Sequence, residues 1–359
     1  MAVSFWKALS KPIVGLSPMD GVTDYPFRSI QAKYGRPDLI YTEFVSAEGL
    51  CHSAAPLLRA LLYDDSQRPV VAQMFGKTPP SFRTAAVLIC ELGFDGIDLN
   101  MGCPAKTVAQ HGSGAALIQT PQLAQAIIKQ TKQGVDDYQQ GKRIKDCLEF
   151  SADFKAEISH LRHRRLLPVP SADSQPIPVS VKTRVGYNQP VIDSWIPALL
   201  ETEPAAIALH GRTLKQQYSG QADWQLIGQA AQLVKKTSTL ILGNGDVTSR
   251  ADAIAKAKLY QLDGALLGRA ALGNPFVFEP NYTELNPEQA GQLPQIALEQ
   301  AQLYEQTFSG HSKYSFLPMR KHLGWYIKGL PQAKQIRAEL MKTNSSQEVA
   351  EVFNRHSLI

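Results

Sequence analysis

Eight short apolar, β-rich runs recur along the 359-residue chain, each followed by a segment of helical character. They lie at residues 13–17, 39–44, 70–75, 96–99, 179–183, 206–210, 240–243 and 265–267, with helical segments such as 79–92, 114–134, 191–203, 223–236 and 249–258 between them. Eight strand–helix alternations over roughly 270 residues predict an α/β fold of the (β/α)8 TIM-barrel type. A doubly wound open sheet is the competing arrangement, but no GxGxxG turn follows the first run. Strand parity favours closure. In 179–185 the polar Ser180, Lys182 and Arg184 share one face, and in 206–210 His210 lies on the face opposite Ile207 and Leu209. Gln73 and Asn100 sit equally late in their runs. A barrel gathers these strand ends around one mouth, where an unpartnered buried polar group costs about 1–3 kcal/mol. Their convergence therefore predicts a ligand.

Two stretches depart from the plain barrel. Residues 135–177 exceed what a βα connection needs and read as a partly helical insertion ending in a Pro-rich strap. The insertion is basic, with seven Lys/Arg against four Asp/Glu over 141–165. After a barrel domain over 1–280, residues 281–294 read as a linker and 295–359 as a small all-helical domain. Residues 311–359 carry eight Lys/Arg and three Glu, a surplus of +5 that equals the net charge of the whole chain. That concentration predicts an anionic partner, with nucleic acid first in line. A composition of 44% hydrophobic and 19% charged residues is that of a globular protein, and no apolar run reaches the ~18–20 residues of a membrane span. Four widely spaced cysteines without a CxxC pair, and an N-terminus without a secretory pattern, lead us to expect a reducing cytoplasm, no metal site and no membrane.

The chemistry centres on GIDLNMGCPAKT, residues 96–107. Cys103 follows the end of a strand and is flanked by Gly102, which permits an unusual backbone, and Pro104, which fixes φ. A thiol held at a strand's carboxyl end lies where α/β barrels keep their chemistry. The last two strands end in GNGDV (243–247) and GALLGRA (264–270), so Gly243, Gly245, Gly268 and Arg269 are candidates to hold a phosphate monoester. The first strand runs into LSPMDGVTD (16–24), where Thr23 or Asp24 caps a helix and the backbone can lie along a flat ring. A phosphate at one end and Lys182 with Gln73 at the polar edge suit a flavin mononucleotide, with Lys182 opposite the charge of the reduced ring.

PMDGVTDYPFR (18–28), QMFG (73–76), DLNMGCPAK (98–106), VKTRVG (181–186), HGRT (210–213), NGD (244–246), GRA (268–270) and MRKHLGWYIKG (319–329) occur in this order. With these motifs the chain resembles the tRNA-dihydrouridine synthase family. The resemblance implies bound FMN, contacted by Pro18, Met19, Asp20, Gln73, Lys182, His210, Asn244, Gly245, Asp246, Gly268 and Arg269, with NADPH as reductant. It implies Cys103 as proton donor, Asn100 and Arg184 at the target uracil, and a tRNA substrate. Lys313, Arg320, Lys321, Lys328, Lys334 and Arg337 are the expected phosphate contacts, and the enzyme is expected to be a monomer. The rival readings are an FMN barrel oxidoreductase for a free pyrimidine, a Schiff-base aldolase using Lys182, and an RNA-binding barrel without catalysis.

Overall fold

The computed structural model describes residues 5–105, 112–168, 175–217, 219–310 and 314–359. Eight parallel strands close into a barrel in sequence order. They are β1 (Ile13–Leu16), β2 (Leu39–Ser46), β3 (Val70–Phe75), β4 (Gly96–Met101), β5 (Val179–Arg184), β6 (Ala206–His210), β7 (Leu240–Asn244) and β8 (Gly264–Leu267). Helices α1 (Phe5–Ala8), α2 (Tyr25–Ile30), α3 (Ala47–Cys51), α4 (Pro79–Glu91) and α5 (Pro121–Gln139) precede an inserted helix α6 (Ala152–His163). The ring continues with α7 (Ile192–Leu200), α8 (Trp224–Val234) and α9 (Arg250–Leu259). Four more helices complete the chain: α10 (Pro287–Phe308), α11 (Leu317–Tyr326), α12 (Ala333–Leu340) and α13 (Ser346–Arg355).

The barrel interior below the mouth is a small apolar plug of Ile13, Leu39, Tyr41, Val71, Ala206, Ala208, Leu242 and Leu266. Trp6 of α1 joins that plug, and Phe5 lies against Gly96 at the start of β4, so α1 closes the end opposite the mouth. Side chains from alternate strand positions fill the interior, which makes it a core and leaves the carboxyl ends for chemistry.

Three expectations are corrected. The segment 114–134 breaks at Thr120, where Pro121 starts α5, and α5 then runs on to Gln139. Its buried stripe continues through Thr131, Val135 and Tyr138, and Gly134 lets it approach α4 so closely that a Cβ would stand 2.2 Å from the Arg83 carbonyl. Residues 135–139 therefore belong to α5 and not to the insertion. Residues 281–294 are not all linker. Asn286 and Gln289 form a reciprocal cap, Pro287 occupies the first turn where its missing N–H costs nothing, and α10 continues through Pro294.

Helices α10 and α11 pack against the barrel, and α12 and α13 pack on them. Glu299 of α10 takes an ion pair from Lys33 at 2.7 Å and a hydrogen bond from the Tyr34 hydroxyl at 2.6 Å. Inside the helical domain the Tyr326 hydroxyl donates to Gln300 Oε1 (2.7 Å), and Gln300 Nε2 meets His322 Nδ1 at 3.0 Å. Burial lowers the His322 pKa to about 3, so the imidazole is neutral and accepts from the amide. Helix α11 lies against the loops after the neighbouring strands β1 and β8. A Cβ on Gly21, in the loop after β1, would stand 3.0 Å from Lys321 Nζ; one on Gly273, after β8, would stand 2.4 Å from the Trp325 carbonyl carbon.

The insertion is sewn to the barrel by its own basic residues. Arg162 donates to the Glu91 carbonyl at the end of α4 (2.6 Å), and Arg164 reaches the Gln306 and Thr307 carbonyls of α10 at 3.3 and 3.1 Å. Arg143 donates to the Tyr138 carbonyl at 2.7 Å and lies over the Tyr138 ring. These guanidinium groups satisfy helix-terminal carbonyls.

Candidate active site

The carboxyl ends of the strands and the loops that follow them line a cavity of about 1130 Å³. A single small-molecule site occupies roughly 300–1,000 Å³, so this one has room for two planar groups. Pro18, Met19, Asp20, Gln73, Asn100, Cys103, Lys182, Arg184, His210, Asn244, Gly245, Asp246, Gly268 and Arg269 all line it.

Strand pairing explains why these residues meet. Gln73, Asp98 and Ser180 are cross-strand partners on β3, β4 and β5; one step nearer the mouth, Asn100 pairs with Lys182. Nearer still, Arg184, His210 and Asn244 form a row across β5, β6 and β7. The inward faces of β3 to β7 thus stack polar rows toward the mouth.

Cys103 sits in a turn held from both sides. Asn100 Oδ1 accepts from the N–H groups of Gly102 (3.1 Å) and Cys103 (2.9 Å), while Arg184 Nε donates to the Gly102 carbonyl at 2.6 Å. Gly102 itself lies 3.3 Å, measured from where a Cβ would stand, from the Thr183 backbone. Burial pushes the Cys103 thiol above its ordinary pKa, so it is a protonated thiol at neutral pH. Asn100 and Arg184, expected at the uracil, therefore both grip the cysteine turn while bordering the cavity. Arg184 also reaches the Thr213 and Gln217 carbonyls at 3.3 and 3.4 Å.

Burial lowers the Lys182 pKa to about 8, the neighbouring Arg184 adds to the shift, and Asp98 opposes it. The ammonium form still prevails at neutral pH. His210 is driven well below its ordinary value, first by burial and then by Arg184, Lys182, Arg212 and Arg269, so it is neutral.

At the other end, Asp246 has a left-handed φ of 51° and Gly245 a φ of 120°. Burial disfavours the Asp246 charge, but the Ala222 N–H, Arg212 and Arg269 outweigh it and lower its pKa. Arg212 Nη2 and Arg269 Nη2 each stand 2.6 Å from a different oxygen of this carboxylate. Arg212 is 2% exposed, donates to the Gly220 carbonyl at 2.6 Å and lies 3.5 Å from His210 Nε2. Gly243 is corrected: strand parity turns it outward, where a Cβ would stand 2.4 Å from Trp224, so it serves helix packing. In the first loop Asp24, not Thr23, caps α2, accepting from Phe27 N at 2.9 Å. Met19 N is held by Thr23 Oγ1 at 3.0 Å.

The donor set fits FMN. Gln73, Lys182 and His210 bring polar side chains suited to a ring edge, Pro18 and Met19 line the wall, and Gly268 with Arg269 brings backbone and a cation suited to a phosphate.

Two of the expected phosphate contacts are engaged within the helical domain. Arg320 Nε donates to the Thr343 carbonyl and its Nη2 to Asn344 Oδ1, both at 2.8 Å; Arg337 donates to the Gly324 carbonyl at 2.8 Å. Lys321 and Lys328 are exposed, and Lys321 acts electrostatically on Asp20 and Asp24 at the rim. Lys313, and Lys106 of the cysteine motif, lie outside the described residues.

Sequence reasoning gave no site role to Asp98, Arg212 or Arg28, and it placed Ser180 on the inward face without assigning it a partner. Asp98 carried a signal, since it lies two residues before Asn100 on the inward face. Arg28 is fully buried, with Nε on Gln67 Oε1 (2.9 Å) and Nη1 on the Thr23 carbonyl (2.5 Å), and so holds the first loop.

A family model described as dihydrouridine synthase (Dus) matches residues 15–145 and 171–358, and α6 falls in the gap between. A probable tRNA-dihydrouridine synthase of Staphylococcus epidermidis is 31% identical over 361 residues, covering 99% of this chain and 96% of that protein. Probable tRNA-dihydrouridine synthase 2 of Bacillus subtilis is 30% identical over 356 residues, covering 97% and 95%. Among solved structures, a variant of NCR from Zymomonas mobilis gives a TM-score of 0.45 at 14% identity, over 78% of this chain and 91% of that one.

Proposed function

This chain belongs to the dihydrouridine synthase family, and on that premise we propose how its barrel mouth works. The reaction is the flavin-dependent reduction of uridines in tRNA to 5,6-dihydrouridine. The flavin is taken as FMN, held by Pro18, Met19 and Asp20 in the first loop, by Gln73, Lys182 and His210 at the ring edge, and by Asn244, Gly245, Asp246, Gly268 and Arg269 toward the phosphate. An FMN held there and reduced by NADPH would supply the hydride for uracil carbon 6.

Cys103 gives its proton to carbon 5. The observation that carries this role is the double grip on its turn, by Asn100 on the N–H groups and by Arg184 on the Gly102 carbonyl, around a thiol that burial keeps protonated. A general acid needs this combination of fixed position and retained proton. Lys182 holds a positive charge at the ring edge, and neutral His210 adds a hydrogen-bonding group without a second charge. Asn100 and Arg184 border the same space and are assigned to the uracil carbonyls as well as to the turn.

A stacked base cannot reach the mouth, so the target uridine is flipped out or taken from a loop, at a few kcal/mol. Phosphate contacts from Lys321, Lys328 and Lys313 offset that cost; Arg320 and Arg337 act chiefly within the helical domain. The enzyme is taken to work as a monomer in the cytoplasm.

The test uses tRNA from a strain lacking this protein, incubated with purified protein, FMN and NADPH, followed by nucleoside mass analysis. Dihydrouridine formed in the tRNA, with free uracil and uridine left unreacted, supports the assignment. Reduction of free uracil alone, or of neither, overturns it.

A further inference from the structure

The carboxylate of Asp98 lies beneath the mouth, fully buried, one inward position below Asn100 on β4. Its Oδ2 accepts from Gln73 Nε2 at 2.7 Å and its Oδ1 from the Ser180 hydroxyl at 2.6 Å. A charged carboxylate only accepts hydrogen bonds, so Gln73 must face it with its NH2 group. That turns Gln73 Oε1 toward Asn100, which answers with Nδ2 at 3.0 Å. Asn100 in turn is left with Oδ1 pointing at the Gly102 and Cys103 N–H groups. Each amide has one donating and one accepting end, and the direction of the first dictates that of the second.

We infer that Asp98 is a positioning residue for Cys103: by fixing the directions of the Gln73 and Asn100 amides in series, it holds the turn that carries the thiol. Reversing Gln73 would set its carbonyl against the carboxylate, and reversing Asn100 would set an NH2 group against two backbone N–H groups. The two ends of the relay therefore agree, which stiffens the whole. Burial raises the Asp98 pKa to about 6, and the Ser180 and Gln73 hydrogen bonds and Lys182 hold it down, so the carboxylate is charged at neutral pH. Among the described residues Tyr41 on β2 also faces this carboxylate electrostatically, and burial raises its pKa well above its ordinary value. The inference goes beyond the assignment of Cys103 as proton donor and uses that assignment only for its effect on turnover.

Asp98→Asn is nearly isosteric and keeps hydrogen-bonding capacity, but an amide at 98 accepts either direction of Gln73 and brings no charge. The rate at which iodoacetamide alkylates Cys103 is followed by peptide mass in the FMN-loaded protein, with Cys51, Cys90 and Cys147 as internal references. We expect Cys103 in Asp98→Asn to react at least threefold faster than wild type, and dihydrouridine formation to drop about tenfold in kcat with KM for tRNA within twofold. Gln73→Leu cuts the relay in its middle. If the links act in series, adding Asp98→Asn to Gln73→Leu leaves Cys103 alkylation unchanged. Wild-type alkylation in Asp98→Asn, or additive effects in the double variant, overturns the inference. Because alkylation is read independently of turnover, full activity in a Cys103→Ala variant would dismiss the proton-donor assignment without touching this result.

Discussion

The barrel mouth and the parts added to it carry the same cationic side chains and use them differently. At the mouth, Arg184 and Arg212 are 3% and 2% exposed, and their guanidinium groups meet carbonyls and a carboxylate across strands and loops. In the insertion and the terminal helices, Arg162, Arg164, Arg320 and Arg337 meet carbonyls at helix ends, while Lys321 and Lys328 face outward. A raw count of basic residues treats all of these alike. What each does depends on whether its head group is buried among fixed acceptors, caps a helix, or remains in water where it contributes only to the field.

The comparison can be broken first at Lys182. Lys182→Met should weaken FMN binding about a hundredfold, in the range for removing one charged donor from a buried site; fluorescence titration of FMN checks it. The same side chain predicts a pH dependence. Its folded pKa is depressed to about 8, so the ammonium is present below that value and lost above it. Affinity for reduced FMN should fall as pH rises through about 8 in wild type and stay flat in Lys182→Met. His210, neutral throughout, should add no break near its ordinary value of about 6.5.

Arg184→Ala comes next. It leaves the buried Gly102 carbonyl without its donor, a loss of about 1–3 kcal/mol, and should slow dihydrouridine formation more than tenfold while tRNA affinity changes little. Steady-state kinetics with separate kcat and KM values decide this; an effect confined to KM would place Arg184 with the outward cations instead. Lys328→Ala sharpens the other side. It should weaken tRNA binding a few-fold and reduce the salt slope of log Kd by about 0.7–0.9, with FMN binding unaffected. The smallest effect belongs to the insertion: Arg164→Ala should cost about 1 kcal/mol or less in thermal stability and leave the salt slope of tRNA binding unchanged, because its guanidinium is turned to α10. A slope that falls would return the insertion to the RNA-contacting surface.

Much of this was legible in the residues. The eight strands were visible because parallel barrel strands are short apolar runs with a polar residue at the mouth, and Gln73, Asn100, Lys182 and His210 were found by that parity. What parity could not show was the partner of each polar group. Asn100 and Arg184 read as substrate contacts; their bonds to the Cys103 turn depend on cross-strand register and on the path of the loop after β4. Gly243 read as part of a phosphate turn, and its outward direction onto Trp224 follows from the pleat of β7. Arg212, close to His210 in sequence, was passed over because an arginine after a strand reads as solvated until the structure buries it. Asn286 and Pro287 fall in the stretch that reads as a linker, yet with Gln289 they form a helix start, because Pro is tolerated in a first turn.

The central claim is that a gripped, protonated Cys103 delivers the proton. It is tested most directly by loading Cys103→Ala with FMN and measuring dihydrouridine formed in tRNA alongside the visible flavin spectrum. The account predicts an unchanged flavin spectrum with turnover reduced by about 10²–10⁴-fold, the contribution expected of a general acid. Wild-type turnover in the flavin-loaded variant would contradict it.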